Sequence, residues 1–475
     1  MHSLITHKQN DMKKRTLTLA LFSASLLAAQ AQQDGGIRPE MLQEIQSSYQ
    51  ETPAGKAIRN AIAGNDIRKL TLDLDGQRGI DTHFSIRVKS KGITDQQSSG
   101  RCWLFTGLNI MRAKAIAKYD LPGLEFSQAY SFFWDQLEKS NLFLQGILDT
   151  ADKPMTDQTV EWLFKHPLSD GGTFTGVADI VGKYGLVPAE AMPETYSSNH
   201  TSMMSNLIGL KLKEFALELR ELSAKGAKPA TLEERKTEML KTVYRMLALN
   251  LGVPPTEFDY VRRNAAGERV AVEHHTPMSF LEKYGDKSLL ANHVMLMNDP
   301  TREYYKCYTI EYDRHRYDGH NWTYVNLPLD DIKQMAIASL RDSTAMYFSS
   351  DITQLDAKRG YLDTDIYDYG SLMGVTFGMD KKQRIQTFSS LSAHAMTLVA
   401  VDLDEAGKPV KWMVENSWGP SYGHQGHLIM SDRWFDEYMF RLVVETKYVP
   451  EKIRKIAQEE PIRLPAWDPM FAPCR

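Results

Sequence analysis

Residues 96–105 read QQSSGRCWLF, a polar run with one glycine that leads into an apolar segment. Apolar residues recur at helical spacing from Trp103 onward, which predicts a helix with Cys102 in its first turn. The partial positive charge of a helix N-terminus favours a thiolate over a thiol, so Cys102 is a candidate nucleophile. Gln96 lies upstream, where its amide can face the group that Cys102 attacks. A buried, inert cysteine that opens an amphipathic helix is the alternative, and residues elsewhere must decide between the two.

Two residues far downstream complete a candidate catalytic set. His394 opens a strand-like segment at 395–401, and a second strand-like segment at 410–414 precedes Asn416. The residues between the segments, 404–409, have turn composition, and the midpoint between His394 and Asn416 is position 405. The predicted hairpin therefore sets the two side chains opposite each other at its open end. There the asparagine oxygen can hold one ring nitrogen of the histidine and leave the other for the cysteine.

These residues resemble the papain-like cysteine peptidases, whose signature is C-G-[SA]-C-[WY] with His and Asn downstream. The upstream cysteine of that signature is Ser99 here, so the disulfide that it would form is absent. The interval between Cys102 and His394 is 394 − 102 = 292 residues, against roughly 130–150 in the signature, so a large insertion separates them. The chain is similar to the bleomycin hydrolase or aminopeptidase C group in both departures and in the strings SSGRCWLF, HAMT, WMVENSWG, GHQGHL, SDRWFDEY and LPAWDPM.

The resemblance implies an α+β fold of the papain-like type, with two lobes, a helical insertion subdomain and a C-terminal arm. Cys102 is then the nucleophile, His394 the proton donor to the leaving amine, and Asn416 the group that orients the imidazole. Gln96 and the main-chain N–H of the cysteine are expected to stabilise the oxyanion. Trp418, within NSWG, is expected to shield the contact between the histidine and the asparagine.

A glycine pair, Gly171 and Gly172, follows a helical run at 158–166. Taken by itself, such a doublet more often marks a plain turn. In papain-like enzymes a Gly-Gly at this place resembles the ledge that pairs with the main chain of the substrate, which makes both glycines candidate substrate-binding residues.

The length of 475 residues suits one large domain or two smaller ones. From residue 199 to about 339 the papain pattern is interrupted by helical stripes, which predicts the insertion. The predicted organisation is a signal peptide at 1–31, an N-terminal segment and helical lobe with the cysteine at 32–198, a mainly helical insertion at 199–339, a β-rich lobe with the histidine and asparagine at 340–450, and an arm at 451–475.

The N-terminal region has the order of a secretory signal peptide. Residues 12–15 are MKKR, residues 17–29 are apolar, and Ala-Gln-Ala at 29–31 is a small-x-small cleavage site. We expect Met12 as the true start, a mature chain from near Gln32, and export to the periplasm or beyond the cell. An internal hydrophobic helix is the alternative. No later stretch is long and apolar enough to span a bilayer.

Composition and charge limit the classes of partner that the chain is expected to bind. The net charge of −4 and the absence of a basic stripe argue against nucleic acid held by bulk charge. The sequence shows no ligand cluster for a metal, and the expected chemistry requires no cofactor. Peptides are the expected substrates, and the resemblance implies a homo-oligomer, namely a hexamer around a central channel. Cys307 and Cys474 either pair with each other or stay as thiols.

The chain ends LPAWDPMFAPCR at 464–475, where three prolines disfavour a helix and favour an extended arm. A frayed tail is the usual fate of a terminus. Trp467, Met470 and Phe471 are costly to leave in water, which predicts instead that the arm is docked.

In the group that the chain resembles, such an arm enters the cleft, and its carboxylate attracts the α-ammonium of a substrate. The resemblance therefore implies an aminopeptidase. Arg475 departs from the small-residue ending expected there and is a candidate substrate-binding residue whose positive charge weakens that attraction. An endopeptidase or a dipeptidyl peptidase of the same fold is the alternative, and a non-catalytic scaffold or binding protein is the alternative from another class.

Overall fold

The structure is a computed structural model that describes residues 35–73, 81–89, 92–121, 123–352, 355–356 and 360–471. The predicted signal peptide at 1–31, Cys474 and Arg475 lie outside the described residues, so the predictions made for them stay predictions. Contacts divide the chain into two compact units, Met1–Leu70 and Thr71–Arg475. In the described residues, no helix has both the length and the apolar composition that a bilayer span requires.

The described part of the first unit, residues 35–70, contains three short helices, and none of their residues is buried. Prolines open the first two, because a missing N–H is tolerated in the first turn. The Thr52 hydroxyl caps the second by accepting the Gly55 N–H at 3.0 Å. The helices are α1 (Pro39–Ser48), α2 (Pro53–Gly64) and α3 (Ile67–Leu70).

Long helices make up the first half of the second unit, and shorter ones are interspersed with strands after it. Side-chain caps fix several helix starts, such as Ser127 on the Tyr130 N–H at 3.1 Å. The helices are α4 (Cys102–Tyr119), α5 (Gln128–Asp149), α6 (Gln158–Lys165), α7 (Phe174–Tyr184), α8 (Tyr196–Asn199), α9 (Thr201–Ala224), α10 (Pro229–Leu251), α11 (Pro277–Tyr284), α12 (Leu329–Arg341), α13 (Tyr369–Met373), α14 (Lys381–Gln386), α15 (Asp432–Tyr438) and α16 (Glu451–Ile456).

The strands of the second unit form one large mixed sheet and a separate hairpin, β2–β3. Along the sheet the order is β14-β5-β6-β4-β13-β7-β10-β11-β12-β9-β8, and β1 pairs with β10. The strands are β1 (Ile86–Arg87), β2 (Phe258–Arg263), β3 (Arg269–His275), β4 (His293–Met297), β5 (Lys306–Ile310), β6 (Thr323–Asn326), β7 (Met346–Ser350), β8 (Leu355–Asp356), β9 (Tyr361–Leu362), β10 (His394–Leu403), β11 (Pro409–Glu415), β12 (His427–Ser431), β13 (Met439–Glu445) and β14 (Ile462–Leu464).

Helices and sheet meet at α4, which packs against β10. Apolar residues cover almost the whole circumference of α4, so it is buried on nearly all sides and forms the centre of the helical core. A second apolar core lies on the sheet around Trp412, Phe348 and Leu442. The predicted α+β class is therefore confirmed, and the contact between α4 and β10 brings the two parts of the catalytic set together.

The predicted β10–β11 hairpin forms, but its register differs from the expected one. Thr397 pairs with Glu415, so the midpoint is (397 + 415)/2 = 406 rather than 405. Continued to the open end, this register sets His394 opposite position 418 and moves Asn416 two residues closer to the turn. The prediction that His394 and Asn416 lie directly opposite each other is therefore wrong, because turn length and β-bulges set the register and sequence midpoints do not capture them.

The range 199–339, predicted as a mainly helical insertion, begins with the two long helices α9 and α10. From residue 258 onward it also contains strands, and β4, β5 and β6 join the main sheet next to β13. Part of this range thus extends the sheet that carries the histidine. The boundaries of the subdomains stay predictions.

Candidate active site

Cys102 is the first residue of α4 and is 5% exposed. The N–H groups of the first helical turn have no intrahelical acceptor, and the helix dipole places positive charge there. The cysteine borders a cleft of about 740 Å³, which His394, Gln96 and Trp418 also line. The cleft therefore brings together residues from both halves of the chain, and Gln96 and Trp418 are 322 positions apart (418 − 96).

The His394 imidazole is buried and bonded on one side to Asn416. Its Nε2 lies 2.8 Å from Asn416 Oδ1, which leaves Nδ1 for Cys102. Burial lowers the pKa of His394, but the hydrogen bond and charge of Cys102 and the hydrogen bond to Asn416 outweigh burial and raise the pKa above 6.5. The imidazolium form is thus favoured beside a thiolate, which is the charge state that a cysteine nucleophile needs.

Trp418 packs on His394, and the expected shielding of the bond to Asn416 stays a prediction. Its ring stacks on the imidazole with centroids 4.8 Å apart and planes inclined by 30°. Tyr422 packs edge-on against the other side of the indole at 4.8 Å. Trp418 lies beyond the end of β11, where its main chain forms a β-bridge with Asp95.

The Gln96 side chain is oriented by two hydrogen bonds. Its Oε1 accepts from the Ser417 hydroxyl at 2.6 Å, and its Nε2 donates to the Ser99 carbonyl at 2.5 Å. An amide nitrogen carries two hydrogens, so one remains for an oxyanion in the cleft. The sequence analysis missed Ser417, because its contact with Gln96 joins residues that are 321 positions apart.

The loop from Gln96 to Cys102 is closed by contacts among its own residues. The Ser99 hydroxyl donates to the Gln96 carbonyl at 2.6 Å and accepts from Arg101 Nε at 3.0 Å. Arg101 is fully buried, pairs with Glu194 at 2.8 Å, and lies over two phenylalanine rings. A buried cation stabilised in this way holds the loop in one conformation.

Gly171 and Gly172 both border the cleft but differ in their hydrogen bonds. The Gly171 N–H donates to Ser169 Oγ at 3.1 Å, and its carbonyl accepts from Lys139 Nζ at 2.6 Å. For Gly172, no hydrogen bond to the main-chain N–H or C=O is found within the described part of the chain. A Cβ at Gly172 would overlap the His315 ring, so only glycine fits there.

A buried cluster of Asp135, Lys139 and His315 contacts the glycine pair on the side away from the cleft opening: Lys139 bonds the Gly171 carbonyl and His315 packs against Gly172. Asp135 bonds His315 Nδ1 through one oxygen and Lys139 Nζ at 2.9 Å through the other. Burial and the Lys139 charge lower the pKa of His315, which favours the neutral ring. Burial raises the pKa of Asp135, but Lys139 and His315 outweigh it and lower the pKa. The sequence signal that was missed is a pair of charged residues four apart, Asp135 and Lys139, in an otherwise aromatic-rich helix.

The end of the described chain also reaches the cleft. Phe471 borders it and packs edge-on against Trp162 with ring centroids 5.1 Å apart. Met470 is fully buried, and its carbonyl accepts from Arg441. Trp467, which was also expected to be docked, is 41% exposed. In the described residues, no group of three or more His, Cys, Asp or Glu side chains is placed to hold a metal ion.

Comparison with known proteins agrees with this site. The aminopeptidase C of Lactobacillus delbrueckii subsp. lactis is 35% identical over 439 residues, which are 91% of this chain and 97% of that protein. The bleomycin hydrolase of Rattus norvegicus is 35% identical over 450 residues, 92% of this chain and 99% of that protein. The crystal structure of PepW from Lactobacillus rhamnosis superposes with a TM-score of 0.88 at 37% identity, covering 92% of this chain and 99% of that one.

The family model described as Peptidase C1-like family matches residues 36–471, which is nearly all of the described chain. The predicted resemblance to papain-like peptidases of the bleomycin hydrolase and aminopeptidase C group is thereby confirmed. The chain belongs to the Peptidase C1-like family and is a cysteine-type peptidase with the papain-like fold.

Proposed function

We propose that the protein is a cysteine aminopeptidase that removes residues from the free N-terminus of peptides. Relatives named aminopeptidase C, aminopeptidase E and aminopeptidase G support this activity. The observation that carries the proposal is the C-terminal arm, whose Phe471 stands in the cleft. An arm in that place limits how far a substrate can extend past the nucleophile on one side.

Contacts along the C-terminal arm support the proposal that it stays docked beside the cleft. Within the arm, which begins with α16, strand β14 pairs in parallel with β5 at the edge of the sheet. Beyond it, Asp468 pairs with Arg302, and Arg441 donates to the Met470 carbonyl. One ion pair, one hydrogen bond to the main chain and a buried methionine resist fraying, so the arm stays beside the cleft while substrates exchange.

In the proposed reaction, the Cys102 thiolate attacks the carbonyl carbon of the scissile bond and a C–S bond forms. The carbonyl oxygen becomes an oxyanion, which the Cys102 N–H and the Gln96 amide stabilise. His394 donates its proton to the nitrogen of the leaving amine, the C–N bond breaks, and the shortened peptide departs. Asn416 keeps the imidazole in the plane from which this proton can be delivered.

The acyl-enzyme is then hydrolysed. Neutral His394 takes a proton from water, and the resulting hydroxide attacks the thioester carbon. Collapse of the second tetrahedral intermediate breaks the C–S bond and releases the amino acid, while the thiolate and the imidazolium are restored. The proton balance closes within the pair of Cys102 and His394, so no cofactor is part of the proposed cycle.

One observation favours the alternative of an endopeptidase or a dipeptidyl peptidase. The unbonded main chain of Gly172 offers a donor and an acceptor to an extended peptide. A substrate with a single residue on the N-terminal side of the scissile bond would leave the N–H and C=O of Gly172 without a partner. A substrate with two residues on the N-terminal side of the scissile bond would form hydrogen bonds with both groups.

The test compares fluorogenic substrates with one or two residues before the reporter, each with a free and a blocked N-terminus. The full chain is measured beside a variant that lacks residues 471–475, which removes Phe471 from the cleft and keeps the buried Met470. An aminopeptidase cleaves the single-residue, free-amine substrate best, and the truncated variant gains activity on blocked substrates.

Three results would count against the proposal. Preference for a free-amine dipeptide unit identifies a dipeptidyl peptidase, and equal cleavage of blocked and free substrates by the full chain identifies an endopeptidase. Absence of cleavage by an enzyme whose cysteine still reacts with iodoacetamide would support the scaffold alternative.

The exposed face of α9 supports a homo-oligomer as a further part of the proposal. Met203, Leu207, Leu210 and Leu217 lie on one face of this helix and are between 51% and 68% exposed. Contiguous exposed apolar side chains mark interaction surfaces. Sedimentation of the wild type and of Leu210→Glu tests this, with the exposed Val410→Glu on β11 as the control. A monomeric wild type contradicts the proposal.

Export is proposed from the basic, apolar and small-residue order of residues 12–31. Sequencing of the native protein is expected to find an N-terminus near Gln32 on material from outside the cytoplasm. Residues 12–31 retained on a cytosolic form would contradict export. Because an exported thiol is open to oxidation, activity is expected to rise with a reductant.

A further inference from the structure

The two peptide groups on either side of Gly172 are each bonded at one end to the buried cluster. The Gly171 carbonyl accepts from Lys139 Nζ at 2.6 Å. The Thr173 N–H donates to His315 Nε2 at 3.4 Å. Within the described residues, neither this carbonyl nor this N–H has a second hydrogen-bond partner. Because the C=O and N–H of a trans peptide point in opposite directions, the N–H and C=O of Gly172 itself point away from the cluster.

Asp135 joins Lys139 and His315 into one unit. One of its oxygens bonds His315 Nδ1, and the other lies 2.9 Å from Lys139 Nζ. Asp135 and His315 are buried, so water does not compete for these bonds. Because Nδ1 faces a carboxylate, it carries the ring hydrogen, and Nε2 is left as the acceptor that the Thr173 N–H requires. Burial and the Lys139 charge lower the pKa of His315, which favours the neutral ring that has this acceptor.

The His315 ring has little room to move. Trp103 packs edge-on against it with ring centroids 4.5 Å apart. A Cβ at Gly172 or at Gly176 would overlap the ring, so the main chain at both glycines lies directly against the imidazole. Packing of this density holds Nε2 in one place, and with it the Thr173 N–H.

Asp170, the residue before the glycine pair, is bonded to residues beside the nucleophile. Its carbonyl accepts from Trp103 Nε1 at 2.8 Å, and its carboxylate accepts from the Gly100 N–H at 2.7 Å. Trp103 follows Cys102, and Gly100 lies two positions before it. These bonds set where the glycine pair lies relative to the cysteine, whereas the cluster sets the direction of the peptide groups at Gly172.

Gly172 therefore presents a main-chain donor and acceptor at the border of the cleft. One residue of an extended chain offers the complementary C=O and N–H, as in the pairing of antiparallel strands. Two segments can supply that residue. One is the second residue of a bound peptide, counted from the scissile bond toward its N-terminus. The other is the end of the protein's own chain, since Phe471 borders the cleft and four residues follow it (475 − 471).

We propose that the buried cluster of Asp135, Lys139 and His315 positions the glycine pair for peptide binding. It fixes the two peptide groups at Gly172 so that the N–H and C=O of this residue face an extended chain in the cleft. This inference rests on the proposed function, because it takes the cleft at Cys102 as a peptide-binding site. The three side chains form and break no bond in the reaction, and they act through the main chain of Gly172.

The test is Lys139→Met in the full chain, with ligand binding measured without turnover. Leucine nitrile and alanyl-leucine nitrile, both with a free N-terminus, present one and two residues up to the carbon that Cys102 attacks. The thiolate adds to the nitrile carbon, the nitrile nitrogen takes a proton from His394, and the adduct is reversible. Each nitrile therefore protects Cys102 from iodoacetamide, and mass spectrometry of the peptide that contains Cys102 measures the protection.

If a bound peptide supplies the second residue, alanyl-leucine nitrile protects the wild type at a concentration about tenfold or more below that of leucine nitrile. Lys139→Met is then expected to reduce this ratio about fivefold or more, because the Gly172 N–H loses its fixed direction. Removal of the Lys139 charge also affects the thiol, but it affects both nitriles alike and cancels in the ratio.

If the protein's own end supplies the residue, the wild type shows no such ratio, because the place at Gly172 is taken. Lys139→Met is then expected to gain cleavage of N-blocked substrates, in the same direction as the variant that lacks residues 471–475. The nitrile ratio and the ratio of blocked to free-amine cleavage therefore separate the two sources of the extended chain.

Lys381→Met is the matched control. Lys381 is also a buried lysine whose Nζ donates to main-chain carbonyls, those of Asp436 at 3.0 Å and Met439 at 2.6 Å. In the described part of the chain, it is not among the residues that border the cleft. Both ratios are expected to match the wild type in this variant even where its melting temperature falls.

Wild-type values of both ratios in Lys139→Met overturn the inference. Equal changes in Lys139→Met and Lys381→Met also overturn it, because they indicate a general loss of stability. If Lys139→Met does not fold, His315→Phe carries the test, since it keeps a ring against the glycines and removes the acceptor of the Thr173 N–H.

Failure of the proposed function is distinguishable from failure of the inference. A wild type that does not cleave single-residue, free-amine substrates overturns the aminopeptidase proposal alone, because protection by the nitriles requires no turnover. A wild type that cleaves no peptide and that neither nitrile protects overturns both.

Discussion

Cys102 and His394 reach the cleft by different kinds of structure. Cys102 stands at the start of a helix, and the loop before it is closed by contacts among Gln96, Ser99 and Arg101, which lie within five residues of each other. His394 stands at the end of β10, where its main chain pairs with Ser350 of β7, 44 positions away (394 − 350). The loop before the nucleophile thus combines these local contacts with distant ones from Ser417 and Glu194, whereas the base is placed by strand pairing.

A helix start and a strand position differ in how reliably the sequence predicts them. A helix start is defined by local geometry, so a short motif specifies it. A strand position depends on every pair in the ladder, and one bulge moves it. Asn416 remains within 2.8 Å of His394 although the register differs from the expected one, because a side chain can bridge a diagonal offset. Trp418, which lies beyond the end of β11, stacks on the His394 ring.

Removal of the nucleophile is the most severe way to break the helix side of this comparison. Cys102→Ala is expected to reduce peptide turnover by about four orders of magnitude or more, because no other group forms the acyl-enzyme. The change removes one sulfur atom from a helix start and leaves the apolar faces of α4 intact, so the melting temperature is expected to stay within a few degrees. Kinetics and thermal unfolding check both statements, and appreciable cleavage by the purified variant would disprove the role of Cys102.

Removal of the Asn416 amide tests how His394, the residue placed by the sheet, is oriented. Asn416→Ala is expected to lower kcat/KM about a hundredfold, at the low end of general acid–base contributions, because the imidazole loses its Nε2 partner. Asn109→Ala serves as the control, since Asn109 is also a buried, hydrogen-bonded asparagine but lies on α4. Equal losses in the two variants would mean that the effect of Asn416 is only structural.

Removal of the ring that stacks on His394 is expected to reduce activity less than removal of Asn416. Trp418→Ala is expected to lower kcat/KM about tenfold, because water then competes for the hydrogen bond between His394 and Asn416. Trp418→Phe keeps part of the stacked surface and is expected to recover part of the loss. Steady-state kinetics of both variants measure this, and equal activity of Trp418→Ala and the wild type would show that the shield is dispensable.

The smallest expected effect is a shift in pH dependence, and it sharpens the comparison. The pKa of His394 is raised, so the imidazolium is present below that pKa and is lost as the pH rises through it. The alkaline limb of kcat/KM therefore lies above pH 6.5. Because the hydrogen bond to Asn416 is one cause of the raised pKa, Asn416→Ala is expected to move this limb to lower pH. A shift to higher pH would contradict the assignment.

Several parts of the site were readable from the sequence. The helix that begins at Cys102, the strands on both sides of the turn at 404–409, and the proximity of His394 and Asn416 all follow from local patterns and are present in the structure. Other parts were not readable. The Ser417 hydroxyl on Gln96 bridges 321 positions, and no periodicity encodes such a pair.

The sequence by itself determined the chemistry of this protein: a cysteine at a helix start, a histidine and an asparagine on paired strands, and an apolar C-terminal end. Such features are local, because helix starts, turns and strand alternation arise from residues a few positions apart. The tertiary structure decided the strand register, the buried cluster of Asp135, Lys139 and His315, and the contacts of Asp170 and Phe471 at the cleft. These depend on which surfaces pack together, and the hydrophobic effect that drives packing has no direction of its own, so their geometry is set only when the whole core closes.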